Sequence, residues 1–328
     1  MIPASADGDA PRGFTVTEEA RATHRRLDVW LVEQLPDLSR TTIKRLFEDD
    51  NVSAVDGRAL SLNKMPPAGT VVEVEIPPPI DTDLKPQNIP LEILFEDDHL
   101  LVVVKPAGLC VHPANGHPDG TLVNAVLYHC PNLQGVGGER RPGIVHRLDL
   151  GTSGVMVVAK SQIAHEGLVQ LFSSHDIERE YQALVWGTPK IPSARIETFI
   201  GRHPHHRQKM SCKVKAGKRA VTDYRVAGSV DKIAHVVCRL HTGRTHQIRV
   251  HMAEHLQTPV LCDPLYADVG HQMKHLPERW QTILAGQPHQ LLHARLLGFK
   301  HPVTGALLRF EAPAPAPMAA ILADFPPL

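Results

Sequence analysis

HRLDLGTSGVMVVAK, residues 146–160, places one acid between a His-Arg-Leu run and a Gly-Thr-Ser-Gly turn, and an apolar run follows at once. VMVVAK has the length and β-branched character of a buried strand. Gly151 and Gly154 permit a tight turn, with positive φ available, and bring backbone N–H groups near Asp149. If the segment before the turn is extended, Arg147 and Asp149 point the same way. A carboxylate presented on such a turn is a candidate nucleophile or general base. The plainer alternative is a turn Asp paired with a surface Arg.

Around this stretch the chain is rich in strands. LEILFEDDHLLVVVKPAG (91–108) reads as two strands joined at Asp97-Asp98, and SQIAHEGLVQLF (161–172) as a helix. EREYQALVWG (178–187), ARIETFIG (194–201), AVTDYRVAG (220–228) and AHVVCRLHTG (234–243) are alternating or near-continuous β runs. THQIRVHMAEHL (245–256) reads as a helix with Ile248 and Met252 four apart. LLHARLLGFKH and LLRFEAP close with two more strands. Many strands with few helices between them predict an α+β fold with a mixed, mainly antiparallel sheet and flanking helices over residues 91–328.

The N-terminal part differs. Residues 1–15 read as a disordered lead without a secretory signal. RRLDVWLVEQL sets Leu27, Trp30, Leu31 and Leu35 at helical spacing. SRTTIKRLFEDD begins with Ser39 as an N-cap, carries Ile43, Leu46 and Phe47 on one face, and leaves Arg40, Lys44 and Arg45 largely off it. Asp56-Gly57 is a turn between short β-prone runs. A small accessory unit is expected over residues 16–78, followed by a Pro- and acid-rich linker at 79–90.

Bulk properties exclude several classes. The 328 residues are 42% hydrophobic and 21% charged, ordinary values for a globular protein. No stretch reaches the roughly eighteen apolar residues of a membrane span. Five scattered cysteines without a CxxC pair suit a reducing cytoplasm better than a disulfide frame or a thiolate zinc site. Net charge is zero, but it is unevenly spread. Residues 201–219 hold seven Lys/Arg and no acid, whereas residues 81–98 hold six acids and one Lys. The basic segment includes Arg202, Arg207 and Lys209 and suits several phosphates.

Four further stretches are candidates for chemistry. Tyr181 sits in a strand with Ala183 and Val185 on its own face, where a core Tyr is the ordinary reading. LHTGRTHQIRVH puts Arg244 and Arg249 just after the Thr242-Gly243 turn, where an Arg can meet a phosphate or carboxylate with both arms. HMAEH (251–255) matches the H-x-x-E-H pattern of some zinc peptidases. With 21 histidines in the chain, such pairs arise by chance, and no downstream carboxylate ligand can be assigned. HPHH (203–206) is a broken His tract beside the basic segment, better suited to phosphate than to metal.

Taken together and in this order, these stretches resemble the RluA family of pseudouridine synthases. HRLDLGTSG resembles that family's catalytic motif, EYQALV its Tyr motif and TGRTHQIRVH its third motif. KPAGLCVHP, CDPLYA and LHARLLGFKHPVTG also look like family segments, so that residues 85–315 are covered. Residues 26–78 resemble an S4 RNA-binding domain. This pairing, with HPDG at 117–120 and RHPHHRQKM at 202–210, is most similar to the RluD branch, which isomerises uridines in a stem-loop of large-subunit ribosomal RNA. Leu150-Gly151, Cys262 and Ala267 depart from common family residues without removing a catalytic group.

The resemblance implies that Asp149 is the catalytic acid, that Arg147 helps displace the target base, that Tyr181 packs on the flipped uracil, and that Arg249 pairs with the carboxylate. The basic segment, Arg244 and the S4 face would hold RNA. It further implies a cytoplasmic enzyme, by default monomeric, that needs no cofactor or metal and acts on ribosomal RNA, free or in pre-ribosomal particles. Sibling specificities for other ribosomal sites or transfer RNA stay open. Readings of another class are a non-catalytic RNA-binding assembly factor and a metallopeptidase built on HMAEH.

Overall fold

The computed structural model describes residues 12–35, 38, 40–48, 51–75, 84–114, 116–133, 136–137 and 142–328. The chain divides into two units, Met1–Thr82 and Asp83–Leu328. That boundary falls inside the stretch read as a linker. Among the described residues no helix is long and apolar enough to cross a membrane.

In the first unit, strands β1 (Arg12–Thr15), β2 (Val52–Ala54) and β3 (Val71–Val74) form an antiparallel sheet in the order β1-β3-β2. Helices α1 (Glu18–Thr23), α2 (Leu27–Gln34) and α3 (Arg40–Glu48) accompany it. Leu27, Trp30 and Leu31 of α2 meet Ile43 and Leu46 of α3 and Val72 of β3, as helical spacing requires. The sequence reading was wrong at one end, because β1 occupies part of the expected disordered lead. Phe14 rests edge-on against Trp30 at 6.4 Å and Val16 is buried, so this short run has a core to join. Helix α1 was also unexpected. Its cap is Thr17, whose hydroxyl accepts from Ala20 N–H at 3.1 Å. Ser39 lies outside the described residues.

The second unit is built on a ten-stranded sheet. Its strands are β4 (Glu92–Glu96), β5 (Leu100–Lys105), β6 (Ser153–Ala159), β7 (Glu178–Trp186), β8 (Ser193–Arg202), β9 (Met210–Ser211), β10 (Lys218–Val230), β11 (Ile233–Leu240), β12 (Leu292–Lys300) and β13 (Leu307–Glu311). They run β4-β5-β6-β12-β7-β11-β10-β8-β9, with β13 also on β12. The β6–β12 pair is parallel and the other named pairs are antiparallel, which makes the sheet mixed and mainly antiparallel as expected.

Alternation along the central strands covers both faces. Leu101, Val103, Met156 and Val158 enter one core with Tyr181, Ala183 and helix α4 (Leu122–His129). Leu100, Val102, Val155 and Val157 enter the opposite core with Ala164 and Leu168 of α5 (Gln162–Ser174). Strands buried on both faces read as continuous apolar runs, and LLVVV and VMVVA are such runs. All five cysteines are free thiols.

The expected helix at 245–256 is replaced by α6 (Gln247–Val250) and a wider π turn at His251–His255. The widening serves two side chains. The His251 ring nitrogens meet Thr198 Oγ1 at 3.0 Å and Thr222 Oγ1 at 2.9 Å, while Glu254 accepts from Ser211 Oγ and Cys212 N–H.

Two buried histidines tie stability to pH. Burial pulls His235 and His251 from 6.5 to about 4, helped by the Arg225 charge near His235 and by His255 near His251. Both folded values lie below the unfolded one, so the unfolded chain binds the extra protons as pH falls from 6.5 to about 4. Stability is therefore expected to fall across that window, by up to about 1.4 kcal/mol per pH unit for each histidine. Urea denaturation at stepped pH measures the slope, and His251→Asn should make it shallower. An unchanged slope in that variant would contradict the assignment.

Candidate active site

The 146–154 loop is pinned by its neighbours. Gly154 has φ +128° and lies where β6 starts to pair with β12; a Cβ there would sit 2.2 Å from the Ala294 carbonyl oxygen. Gly151 needs no unusual φ, contrary to the expectation for it. A Cβ there would meet Gln290 Oε1 at 2.5 Å and His289 Cβ at 3.0 Å, so a side chain would have to displace Gln290. Gln290 Nε2 donates to Thr152 Oγ1 at 3.0 Å, and Ser153 Oγ meets His293 Nδ1 at 2.9 Å. From below, Lys105 Nζ donates to the carbonyls of Pro106, Leu109 and Leu150 at 2.9, 2.8 and 3.2 Å. Burial pulls Lys105 down to about 7, and the Asp149 charge opposes that shift.

Leu148 turns into the core, so the residues on either side of it turn outward together. Arg147 is exposed, and the Asp149 side chain keeps 16% of its surface. Both line a cleft of about 580 Å³ with Tyr181, Arg244, His246 and Arg249. That volume suits a single nucleotide or similar small group.

Arg249 joins three parts of the chain. Its Nη1 donates to Asp149 Oδ2 at 3.1 Å, while its Nε and Nη2 grip Asp263 at 2.7 and 2.8 Å. Burial alone would lower the Arg249 pKa. The hydrogen bonds and charge of Asp263, with the charge of Asp149, instead raise it above the ordinary arginine value. Arg249 also lies over the Tyr266 ring at 5.1 Å. Met210 N–H donates to Tyr266 Oη at 2.7 Å, and the same hydroxyl meets His246 Nδ1 at 2.8 Å. Strand β9, inside the basic 201–219 segment, is thereby tied to this cluster.

Tyr181 is on β7, opposite Cys238 of β11 and Ala294 of β12. Burial pushes its phenol up to about 12; the Arg179 charge opposes this and Asp149 adds to it. The phenol is therefore protonated throughout the neutral range.

The expected RNA-binding residues are more dispersed. Arg244 lies at the cleft before α6 and donates from Nε to the Arg219 carbonyl at 2.9 Å. Arg202 is exposed and donates to the Arg207 carbonyl, itself on an exposed residue, and Lys209 lies 5.7 Å over the Tyr266 ring. In the first unit, Arg40 pairs with Asp28 at 2.8 Å and Lys44 with Glu48 at 3.4 Å. The side chain of Arg45 lies outside the described residues.

HMAEH is spoken for by threonines and by β9, as described above. The potential metal ligands that do converge among the described residues are Glu96, His129 and Cys130. There Lys160 Nζ already contacts Glu96 at 2.7 Å.

Sequence reasoning singled out Asp149, Arg147, Tyr181 and Arg249, and all four line this one cleft. It missed Lys105, His246, Asp263 and Tyr266. KPAG, THQ and CDPLYA were in view, but a lone Lys, His or Asp in such segments carries no chemistry by type alone.

Comparison with known proteins defines the class. Residues 99–254 match the RNA pseudouridylate synthase family. An uncharacterized RNA pseudouridine synthase of Synechocystis is 42% identical, over 96% of this chain and 94% of its own. A protein of Zymomonas mobilis named ribosomal large subunit pseudouridine synthase D is 44% identical, over 93% and 94%. Among solved structures, human RNA pseudouridylate synthase domain containing 4 matches with a TM-score of 0.55 at 27% identity, over 71% and 92%. This is an RNA pseudouridine synthase, an isomerase of uridine in RNA. Within that class the chain belongs to the RluA family.

Asp263→Asn tests the support of Arg249. It removes the charge that holds the guanidinium while leaving an oxygen for the Leu265 and Tyr266 N–H groups. Turnover is expected to fall by up to about a hundredfold, the effect of a small misplacement in a catalytic site. RNA affinity, measured by filter binding, should stay at the wild-type value. Wild-type turnover in this variant would show that Asp149 and Arg249 need no such anchor.

Proposed function

We propose that this protein converts specific uridines to pseudouridine in large-subunit ribosomal RNA, with Asp149 acting at the glycosidic centre. The observation that carries the reading is the Asp149 carboxylate, open to the cleft and paired with an arginine that a second carboxylate fixes. Relatives named ribosomal large subunit pseudouridine synthase D support the choice of RNA.

The reaction breaks the C–N bond between uracil and ribose, turns the base and rejoins it through C5. The C5 proton leaves to solvent, and N1, freed from the ribose, takes up a proton, so the product is an isomer of the substrate. Nothing is oxidised or reduced, and no donor group is consumed. A stacked base cannot reach the cleft, so it is first extruded at a cost of a few kcal/mol. Arg147, exposed at the mouth, would fill the vacated space. Tyr181 would stack on the uracil. With its phenol held near 12, Tyr181 acts as a protonated wall and donor rather than as a phenolate base. The N-terminal unit would act as an S4-like RNA clamp, adding phosphate contacts with Arg40, Lys44 and Arg45, while Arg202, Arg207, Lys209 and Arg244 add theirs from the second unit.

Tritium release from RNA labelled at uridine C5 tests this directly. Wild-type protein without added cofactor should release tritium from a large-subunit stem-loop, and a protein of residues 80–328 should bind that RNA more weakly while keeping its saturated single-turnover rate. Release from transfer RNA alone would move the target to a sibling specificity. No release from either RNA or from ribosomal particles would refute the activity, and equal affinity of the two proteins would refute the clamp.

A further inference from the structure

One arginine of the cleft has no task in the conversion of uridine described so far. Arg179 lies on β7 two residues before Tyr181, so the two side chains leave the same face of the strand. Arg179 is only 9% exposed. Its Nη2 donates to the Leu240 carbonyl at 3.2 Å, and its guanidinium lies 5.7 Å over the Phe172 ring, which stacks on His146 at 4.5 Å. Its Nε has no hydrogen-bond partner, and no carboxylate pairs with it, among the described residues. Arg249, also buried, has two carboxylates. A buried guanidinium held by one carbonyl and a ring face is costly unless an anion arrives.

The surroundings carry the same sign. His175 ends α5 in the left-handed region at φ +63°, and its pKa is lowered first by burial and then by the charges of Arg179, Arg244 and His241. The Thr242–Arg244 turn closes the other side. A Cβ on Gly243 would stand 3.2 Å from Arg179 Nη1, so a glycine there keeps the guanidinium uncrowded. Arg179, Arg244, His175 and Gly243 all line the cleft that holds Asp149. The one anion that RNA brings to every nucleotide is its backbone phosphate.

We propose that Arg179, between the end of α5 and the Gly243–Arg244 turn, is the binding subsite for a backbone phosphate next to the target uridine. This rests on the reading of the cleft as the uridine site. The shared strand face then has a purpose. Tyr181 meets the uracil, Arg179 meets a phosphate of the same stretch of RNA, and the ribose between them is held against Asp149. Planar guanidinium and phosphate oxygens match in a two-armed contact, which an ammonium group cannot reproduce.

The test uses full-length protein and the large-subunit stem-loop RNA, with single neutral methylphosphonates placed at each linkage flanking the uridines of the loop. Arg179→Gln should weaken RNA binding by about tenfold, the loss of a charged hydrogen bond. It should also reduce the salt slope by about one phosphate, ~0.7 for a single strand. One methylphosphonate should weaken binding by wild type yet add nothing to Arg179→Gln, while the other linkages affect both alike. Arg179→Lys should restore the salt slope but only part of the affinity, and it serves as the folded control if the Gln variant melts early. Wild-type affinity and slope in Arg179→Gln, or equal sensitivity of both proteins at every linkage, would overturn the subsite. Tritium release by wild type is read on the same RNA. Release without the phosphate coupling sinks the subsite alone; coupling without release leaves the subsite standing and sinks the reading of this stem-loop as the substrate.

Discussion

The two-sided grip on Arg249 is the constraint on which the rest depends. Asp263 binds two of its nitrogens, and Asp149, 100 residues away in sequence, takes a third. Arg249 is 4% exposed. A buried cation needs an acid beside it, and losing Arg249 would leave two acids without a compensating charge. The chain satisfies this by bringing together a loop before β6, a short helix after β11 and a turn before α7 (Val269–His275). Their meeting point is the cleft.

Backbone geometry fixes where Asp149 stands. The close approach of Gly154 to Ala294 brings β6 against β12, and the buried Lys105 holds the Leu150 carbonyl from beneath. Leu148 in the core then divides Arg147 from Asp149 and turns both toward solvent. An acid so placed is pre-positioned, with little left to order when RNA arrives. The basic 201–219 segment joins the same cluster through Tyr266, which bonds Met210 of β9 while its ring lies under Arg249. That segment and the carboxylate pair of Arg249 thereby share one tyrosine.

Much of this was legible in the chain, for reasons that can be named. LLVVV and VMVVA betray strands buried on two faces because both alternating sets are apolar. Leu27, Trp30 and Leu31 betray α2 because helical spacing gathers them on one side. Strand β1 was hidden because four residues containing a glycine carry too little pattern. The π turn was hidden because its cause lies in Thr198, Thr222 and Ser211, all remote in sequence. Arg147, Asp149, Tyr181 and Arg249 were found through a family resemblance; spacing alone left each with an ordinary explanation. Asp263 and Arg179 escaped for the same reason. An acid in a turn and an arginine in a strand look ordinary until their partners, or the lack of them, are seen in space.

The most direct test of the account compares wild-type protein with Asp149→Asn in a single turnover on C5-tritiated RNA, with RNA affinity measured on the same samples. The asparagine is nearly isosteric and can still accept from Arg249, so the cleft should persist. Wild-type affinity with no tritium released is the expected result. Measurable release by the asparagine variant would contradict it, and the chemistry would have to be sought in another group of the cleft.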